Sequence, residues 1–219
     1  MSSVFAGIER ALLVVAHPDD EAMFFVPTIV SLQAAGAAVH VLCLSEGNFY
    51  GLGATRRSEM HACCSDVLRV TRCEVLSDDR LLDGAAALWP APVVAEQIRR
   101  YVDAHRIDAL VTFDERGVSG HRDHIAVHGG AHRFVESRAG SVRLFTLQSV
   151  SVVRKYCTPL DLLCVWLALE SGVVTAFNWQ PLLVYRAMCA HASQLVWFRY
   201  IFILFSRYTL VNTLRSHTN

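Results

Sequence analysis

Two short segments of the sequence concentrate residues that can bind a metal ion or move protons. The first, HPDDE at residues 17–21, holds one histidine and three carboxylates in five consecutive positions. The second, GHRDH at residues 120–124, holds two histidines and one aspartate. Carboxylates held this close repel one another, and one of them would take up a proton unless a cation lay beside them. The pattern therefore favours a site for a divalent metal.

Histidine and aspartate are the ligand types that such a site needs. A catalytic zinc site uses three protein ligands and leaves a further position open. His17 and Asp20 can supply two ligands from the first segment, and His124 can supply the third from the second segment. His121 is then a histidine of the site that does not bind the metal. The same ligands also suit Fe(II) or Mn(II), so the residues predict a divalent metal with zinc as the first choice.

Two other interpretations of these segments deserve comparison with the metal site. An acidic, solvated helix start would explain residues 19–21, because carboxylates are stabilised at helix N-termini, but it would not explain His17. His124, His128 and His132 share one helix face, and H-x-x-x-H is itself a metal-binding spacing. The glutamate that accompanies that spacing is replaced by Ile125, so we expect His128 and His132 to be ordinary face residues.

Alternating apolar segments indicate the elements that position these residues. We predict strands at 12–16, 39–44, 73–76, 108–113 and 142–147, and helices at 20–35, 55–68, 92–104 and 122–136. Such alternation predicts an α/β fold with a Rossmann-like, mostly parallel sheet and helices on both faces. In parallel sheets the ligand lies beyond the carboxyl ends of the strands, where the loops at 17–21, 45–50 and 114–124 should converge.

The pattern loosens after residue 150, where apolar segments with tryptophan and a strand-like segment at 182–185 follow. We expect one domain over 1–219, with an α/β catalytic core at 1–150 and an apolar, basic C-terminal extension at 151–219. The first 149 residues hold 14 basic and 18 acidic residues, and the remainder holds 6 and 2. A basic, apolar segment suits either an anionic membrane surface or a buried subdomain.

The overall composition excludes several classes of protein. The chain has 219 residues, of which 53% are hydrophobic and 18% charged, and its formal net charge is zero. This excludes a disordered chain and a generally basic nucleic-acid-binding protein. The sequence has no uninterrupted apolar run of the roughly 20 residues that a membrane span needs. Its seven cysteines lack C-x-x-C spacing, so we expect reduced thiols.

Several motifs together resemble one known family. The segment AHPDDEAMFFVP at 16–27 is similar to the signature of the LmbE/PIG-L deacetylase family. Similarity to its eukaryotic branch continues in the segments 45–50, 55–59, 117–124, 146–150, 154–156, 193–199 and 205–208. The resemblance extends over residues 12–214, nearly the whole chain.

The resemblance implies roles for individual residues. It implies a zinc ion held by His17, Asp20 and His124, with Asp19 as the general base. His121 would stabilise the oxyanion or act as an acid. These assignments agree with the ligand set that the spacing of the two segments favours.

The resemblance also implies substrate contacts, and some positions depart from the family pattern. Arg56 and Ser119 would bind substrate, although Arg56 could instead be a surface residue at a helix start. Ala54 replaces a common glutamate and Asp123 replaces a common asparagine. The second change adds a negative charge near the metal site.

The activity implied by the eukaryotic branch is removal of the acetyl group from N-acetylglucosaminyl-phosphatidylinositol. The products would be glucosaminyl-phosphatidylinositol and acetate, in the second step of GPI-anchor synthesis at the cytosolic face of the endoplasmic reticulum membrane. The expected partners are this glycolipid, the membrane surface and other proteins of that pathway, with no nucleic acid. The alternatives are a deacetylase of a soluble GlcNAc conjugate and a non-catalytic membrane scaffold. A nucleotide-binding protein would need a glycine-rich G-x-G-x-x-G turn, and HPDDE occupies that place.

The segment 191–208 is the strongest candidate for membrane contact. Its apolar and aromatic residues occur all around a predicted helix, and Arg199 and Arg207 accompany them as in an interfacial belt. We expect partial insertion of this segment into the cytosolic leaflet. A buried helix that closes the fold is the alternative.

Overall fold

A seven-stranded sheet lies at the centre of the molecule. The computed structural model describes residues 5–84, 88–138, 141–158, 161 and 172–217. The strands are β1 (Arg10–Val15), β2 (Ala38–Cys43), β3 (Arg72–Val75), β4 (Ala109–Phe113), β5 (Arg143–Leu147), β6 (Val173–Phe177) and β7 (Val211–His217). Their order is β3-β2-β1-β4-β5-β7-β6, and β7 runs antiparallel to both its neighbours. The predicted α/β fold with a mostly parallel sheet is confirmed.

Helices cover both faces of this sheet. They are α1 (Asp20–Phe24), α2 (Val26–Ala34), α3 (Gly53–Ala62), α4 (Ala91–His105), the short turn α5 (Gly117–Gly120), α6 (Arg122–Glu136), α7 (Val152–Tyr156), α8 (Pro181–Ala190) and α9 (Trp197–Phe205). Side chains alternate between the faces of β1, so Leu12 packs in one hydrophobic cluster with α4 and α6. Leu13 packs in the other with α1, α2 and α8.

The predicted helix 20–35 is in fact two helices. It breaks at Phe25, whose backbone separates α1 from α2. Pro27 explains the break, because proline has no N–H to donate to the carbonyl four residues earlier. The short α1 therefore ends close to the first polar segment, and α2 is a separate helix that packs on the sheet.

The predicted helix 55–68 begins earlier and ends differently. Residue Gly53 starts α3, and its N–H donates to Asn48 Oδ1 at 2.8 Å. The helix continues into a π-helical turn at Cys63–Val67.

All six cysteines among the described residues are free thiols.

The region after residue 150 differs most from the prediction. The prediction of a strand at 182–185 is wrong, because these residues lie in α8. Pro181 begins this helix, and its ring fixes a helical φ angle at the first position. Strands β6 and β7 were not predicted, and both join the central sheet. The expected C-terminal extension therefore contributes two strands to the sheet itself. Within the described residues, no helix is long and apolar enough to cross a bilayer.

A buried hydrogen-bonded pair ties β7 to α2. Asn212 Oδ1 accepts from the Thr28 N–H at 3.2 Å and from Thr28 Oγ1 at 2.7 Å. Both side chains are buried. We predict that Asn212→Ala lowers the free energy of unfolding by about 1–3 kcal/mol, because two buried donors lose their acceptor. Denaturant titration measures this, with Ser216→Ala as a control that should change it by less than about 0.5 kcal/mol. Equal effects of the two substitutions would contradict the assignment.

Candidate active site

Three loops meet at one edge of the sheet, as the strand order requires. The segments 17–21, 45–50 and 114–124 follow β1, β2 and β4, which are neighbours with parallel directions. Side chains from the first and third loops line a cavity of about 520 Å³. One side of the cavity is polar and includes all seven residues singled out in the sequence: His17, Asp19, Asp20, Arg56, Ser119, His121 and His124.

Asp20 lies at the centre of the polar side. Its carboxylate accepts hydrogen bonds from the N–H groups of Ala16 at 3.1 Å and His17 at 2.9 Å. The carboxylate also lies 3.2 Å from His124 Nε2 and 3.9 Å from His17 Nδ1. Burial alone would raise the pKa of Asp20, but the two histidines and these hydrogen bonds hold it below its usual range. The structure thus brings the three predicted metal ligands together around an ionised carboxylate.

His124 is held in a fixed orientation. Its Nδ1 lies 3.1 Å from the Gly117 carbonyl oxygen, so the ring donates there and Nε2 faces Asp20. The ring stacks on Phe113 with a centroid distance of 3.9 Å and an interplanar angle of 1°. A backbone carbonyl that orients a histidine in this way is a common feature behind metal-binding imidazoles. Nε2 is therefore the atom of His124 that is available to bind a metal ion.

His17 lies among negative charges. Its Nε2 is 3.0 Å from Asp123 Oδ2 and 3.3 Å from Asp83 Oδ1. Burial lowers the pKa of His17, but the hydrogen bonds to Asp123 and Asp83 and the charge of Asp20 outweigh burial and raise it to about 10. This part of the cavity therefore favours positive charge, which is the environment that a divalent cation needs. The donor set and the electrostatics both fit a metal ion.

Two geometric alternatives among the described residues share His17 with the predicted ligand set. Ligand atoms of His17, His121 and His124 lie within 4.8 Å of one another, so His121 is also within reach of a common ion. His17, Asp83 and Asp123 form a second such group. Asp83 could not be predicted from the sequence, because it lies in an irregular segment with no motif around it.

Asp19, the predicted general base, has a strained backbone and a cationic partner. Its φ of 118° is in the left-handed region, and its N–H donates to Glu21 Oε2 at 3.2 Å. Arg199 Nη2 donates to Asp19 Oδ2 at 3.0 Å. Burial raises the pKa of Asp19 although Arg199 opposes the shift, and the neighbouring charge of Asp20 raises it further. A carboxylate with a raised pKa is a better proton acceptor than an ordinary surface aspartate.

Arg199 is a site residue that the sequence reasoning assigned to a membrane belt instead. It projects from α9 into the cavity. The available signal was its position in the motif at 193–199. Arg207, the other expected belt residue, is fully buried and pairs with Asp161, with 2.9 Å between Nε and Oδ2. The expectation that both arginines face a membrane surface is wrong.

His121 is poised to donate a hydrogen bond into the cavity. Its Nδ1 accepts from the Asp123 N–H at 3.3 Å at the start of α6, so in the neutral ring the proton lies on Nε2. Burial and the nearby His124 and His17 lower the pKa of His121. The ring is therefore neutral near pH 7, and it can stabilise negative charge that develops on an oxygen atom.

Arg56 is buried, in contrast to the alternative of a surface arginine at a helix start. It donates from Nη1 to the Gly47 carbonyl and from Nη2 to the Pro18 carbonyl, both at 2.8 Å. Gly47 has a φ of 65°, and a Cβ there would collide with the guanidinium. Arg56 thus ties the loop after β1 to the loop after β2, while its edge still lines the cavity.

The remaining predicted residues occupy distinct places. Ser119 is exposed on the cavity wall. His128 and His132 lie outside the cavity lining, and His128 Nδ1 is 3.0 Å from the Phe113 carbonyl oxygen. Asp123, which departs from the family pattern, lies directly against His17.

Comparison with known proteins identifies a family and several relatives. A family model described as "PIG-L: GlcNAc-PI de-N-acetylase" matches residues 12–135. A probable N-acetylglucosaminyl-phosphatidylinositol de-N-acetylase of Schizosaccharomyces pombe is 39% identical, and the match covers 97% of this chain and 88% of that protein. The N-acetylglucosaminyl-phosphatidylinositol de-N-acetylase of Bos taurus is 38% identical, with 95% and 83% covered.

Solved structures show the same fold at low sequence identity. The N,N'-diacetylchitobiose deacetylase of Pyrococcus horikoshii superposes with a TM-score of 0.69 and 17% identity, over 99% of this chain and 86% of that one. The zinc-inhibited form of a teicoplanin deacetylase gives a TM-score of 0.64 and 15% identity, over 95% and 97%. These similarities concern the fold of the chain.

The cluster predicts how substitutions change metal content. We expect His17→Ala and His124→Ala to lose stoichiometric metal, because each removes a ligand from a buried site. Asp19→Asn should retain the metal. Elemental analysis after exhaustive dialysis gives the metal-to-protein ratio. The matched control is His128→Ala, which removes a histidine outside the cavity and should keep the wild-type ratio. Full metal content in both ligand variants would refute this site.

Proposed function

Because the chain belongs to the PIG-L (GlcNAc-PI de-N-acetylase) family, we propose that it hydrolyses the acetamide of N-acetylglucosaminyl-phosphatidylinositol. The products are glucosaminyl-phosphatidylinositol and acetate, in the second step of GPI-anchor synthesis. One observation carries the proposal: the cavity joins the buried His17, Asp20 and His124 to Asp19 and His121.

A divalent metal, with zinc as the first choice, is the cofactor of the proposed reaction. His17, Asp20 and His124 would hold it. When bound, zinc supplies Lewis acidity, which lowers the pKa of water to about 7 and polarises a carbonyl group. Asp20 keeps its negative charge at the site because its carboxylate accepts two backbone N–H groups.

Asp19 and His121 supply the proton transfer and the hydrogen bonding. Asp19 accepts a proton from the water molecule that attacks the acetamide carbon, and Arg199 holds the carboxylate in place for this step. The Nε2–H of His121 donates to the oxygen that becomes negative in the tetrahedral intermediate. When the C–N bond breaks, Asp19 returns the proton to the departing amine nitrogen. Acetic acid and a free amine result, and Asp19 is again ionised. The acid then gives its proton to the amine, which leaves acetate and an ammonium group.

This mechanism predicts a large loss of turnover in Asp19→Asn. The amide keeps the shape of the side chain but cannot accept the proton, so we expect kcat to fall about 10²–10⁴-fold. A radiolabelled-acetate release assay measures the change, and thermal unfolding verifies that the variant remains folded. Asp78→Asn, an aspartate outside the cavity lining, is the control and should turn over normally. Wild-type kcat in Asp19→Asn would exclude it as the base.

The assay also separates the alternative functions. We expect deacetylation of N-acetylglucosaminyl-phosphatidylinositol to be faster than that of water-soluble GlcNAc conjugates and to stop when a chelator removes the metal. Preference for a soluble conjugate would support the alternative deacetylase. Absence of turnover together with absence of stoichiometric metal would support a non-catalytic scaffold.

The surface around the cavity mouth supports a membrane as a further partner. Most large side chains of α9 are exposed: Trp197, Phe198, Tyr200, Ile201, Leu204 and Phe205. Val152 and Val153 of α7 are exposed as well, and α7 packs against α9. Monomeric soluble proteins rarely expose a large contiguous apolar patch. The exposure argues against a buried closing helix and favours docking on the cytosolic leaflet of the endoplasmic reticulum, where the cavity would open toward a lipid-linked substrate.

Vesicle binding tests this docking surface. We expect the intact protein to co-sediment with liposomes that contain anionic lipid, and Trp197→Ala with Leu204→Ala to weaken binding about tenfold, because exposed apolar area is lost. Leu182→Ala is the control, since this exposed side chain lies on α8, outside both α7 and α9. Absence of wild-type binding, or equal binding by the double variant, would reject the surface.

A further inference from the structure

A lysine in the cavity wall has a charge that the described residues leave unmatched. Lys155 is the only lysine in the chain, and every other basic residue is an arginine. It lies on α7 and lines the same cavity as the polar cluster. It is half-buried, and among the residues that the structure describes its ammonium group forms no ion pair.

Aromatic rings surround the ammonium group instead of carboxylates. Its Nζ lies 5.5 Å from the ring centre of Tyr156, 5.5 Å from that of Phe202 and 6.0 Å from that of Tyr208. Ring faces attract a cation, but they carry no net negative charge. The rings therefore hold the lysine in position and leave its charge available to an anion in the cavity.

The other cations of the cavity wall differ in this respect. Arg199 donates to Asp19 at 3.0 Å. Arg56 lies 3.7 Å from carboxylate oxygens of both Asp19 and Asp83. Burial and the neighbouring Arg199 lower the pKa of Lys155, so a bound anion would relieve an unfavourable environment. Within the described cavity lining, Lys155 is thus the cation with capacity for an added negative group.

The position of Lys155 suggests which part of a substrate it meets. The cavity is polar beside His17 and His124, and apolar beside Trp197, Ile201 and other side chains of α9. Lys155 reaches the cavity from α7, which packs against the apolar α9. A glycolipid bound with its acetamide at the polar cluster has its phosphodiester between its sugars and its acyl chains.

We propose that Lys155 binds the phosphodiester of the substrate and so gives the site its preference for a phosphate-linked glycan. The inference rests on the proposed function and deepens it by naming a specificity-determining residue. A lysine suits this place because its compact ammonium fits between rings where a planar guanidinium would need more room. The contact is an ion pair, and no bond is made or broken.

Kinetics with matched substrates test the contact. The substrates are GlcNAc-phosphatidylinositol in detergent, a soluble GlcNAc-inositol phosphodiester without acyl chains, and GlcNAc-inositol without phosphate. We expect Lys155→Met to raise KM about ten- to hundredfold for both phosphodiesters, as loss of a charge-assisted contact should. KM for the phosphate-free glycan should not change, and Lys155→Arg should recover part of the loss. Equal loss on all three substrates, or none, would overturn the proposal.

Two controls separate this contact from general effects. Arg186→Met removes one positive charge from an exposed position outside the cavity and should leave KM unchanged. Thermal unfolding shows whether Lys155→Met has only destabilised the fold. A loss confined to the lipid substrate would point to a membrane contact of Lys155 and would also contradict the phosphodiester assignment.

A binding measurement keeps the inference testable without turnover. Because the chain has one lysine, labelling with [ε-¹³C]lysine gives a single side-chain NMR signal. We expect glycerophosphoinositol to shift that signal in a saturable way, and inorganic phosphate to shift it only at much higher concentration. Absence of a shift with glycerophosphoinositol would refute the subsite even if the enzyme deacetylates its glycolipid. A shift without deacetylation would instead contradict the proposed function alone.

Discussion

The buried carboxylate of Asp20 is the interaction on which the architecture of the candidate site depends. It ends β1 by accepting two backbone N–H groups, and it joins His17 to His124 across two loops. A buried charge is costly unless it is paired and hydrogen-bonded, so each partner must be held in register with the others. The parallel neighbours β1 and β4 supply that register, because both place their carboxyl ends at the same edge.

Much of the site could be predicted because its residues follow strands directly. His17 and Asp20 come just after β1, and His124 lies in the first turn of α6, which follows the segment after β4, so local sequence and sheet topology fix their meeting point. Arg199 and Asp83 could not be placed in this way. Both lie in segments distant along the chain, and only tertiary packing brings them to the cavity. Local sequence patterns contain little information about contacts between residues that are distant along the chain.

The fold shows the same division between local and long-range causes. The alternating core elements were predicted because each buries a continuous apolar segment, and the break before Pro27 has a local cause that the sequence contains. Strands β6 and β7 are different: β7 pairs with β5 and β6 pairs with β7, and this pairing decides their conformation more than their own composition does. The apolar segment 182–185 also shows that composition alone does not decide conformation. It has the residue types of a strand, but it forms part of α8, which buries Val184 and exposes Leu182.

The strand order has a consequence for how the chain acquires its structure during synthesis. Strand β7 is the last strand in sequence, yet it lies between β5 and β6. A ribosome therefore releases β5 and β6 before the strand that must separate them, and the edge of β5 stays unpaired until then. Unpaired edges invite aggregation, and such long-range pairing is slow. The segments 17–21 and 114–124 emerge earlier, but the sheet behind them stays incomplete until β7 has been translated.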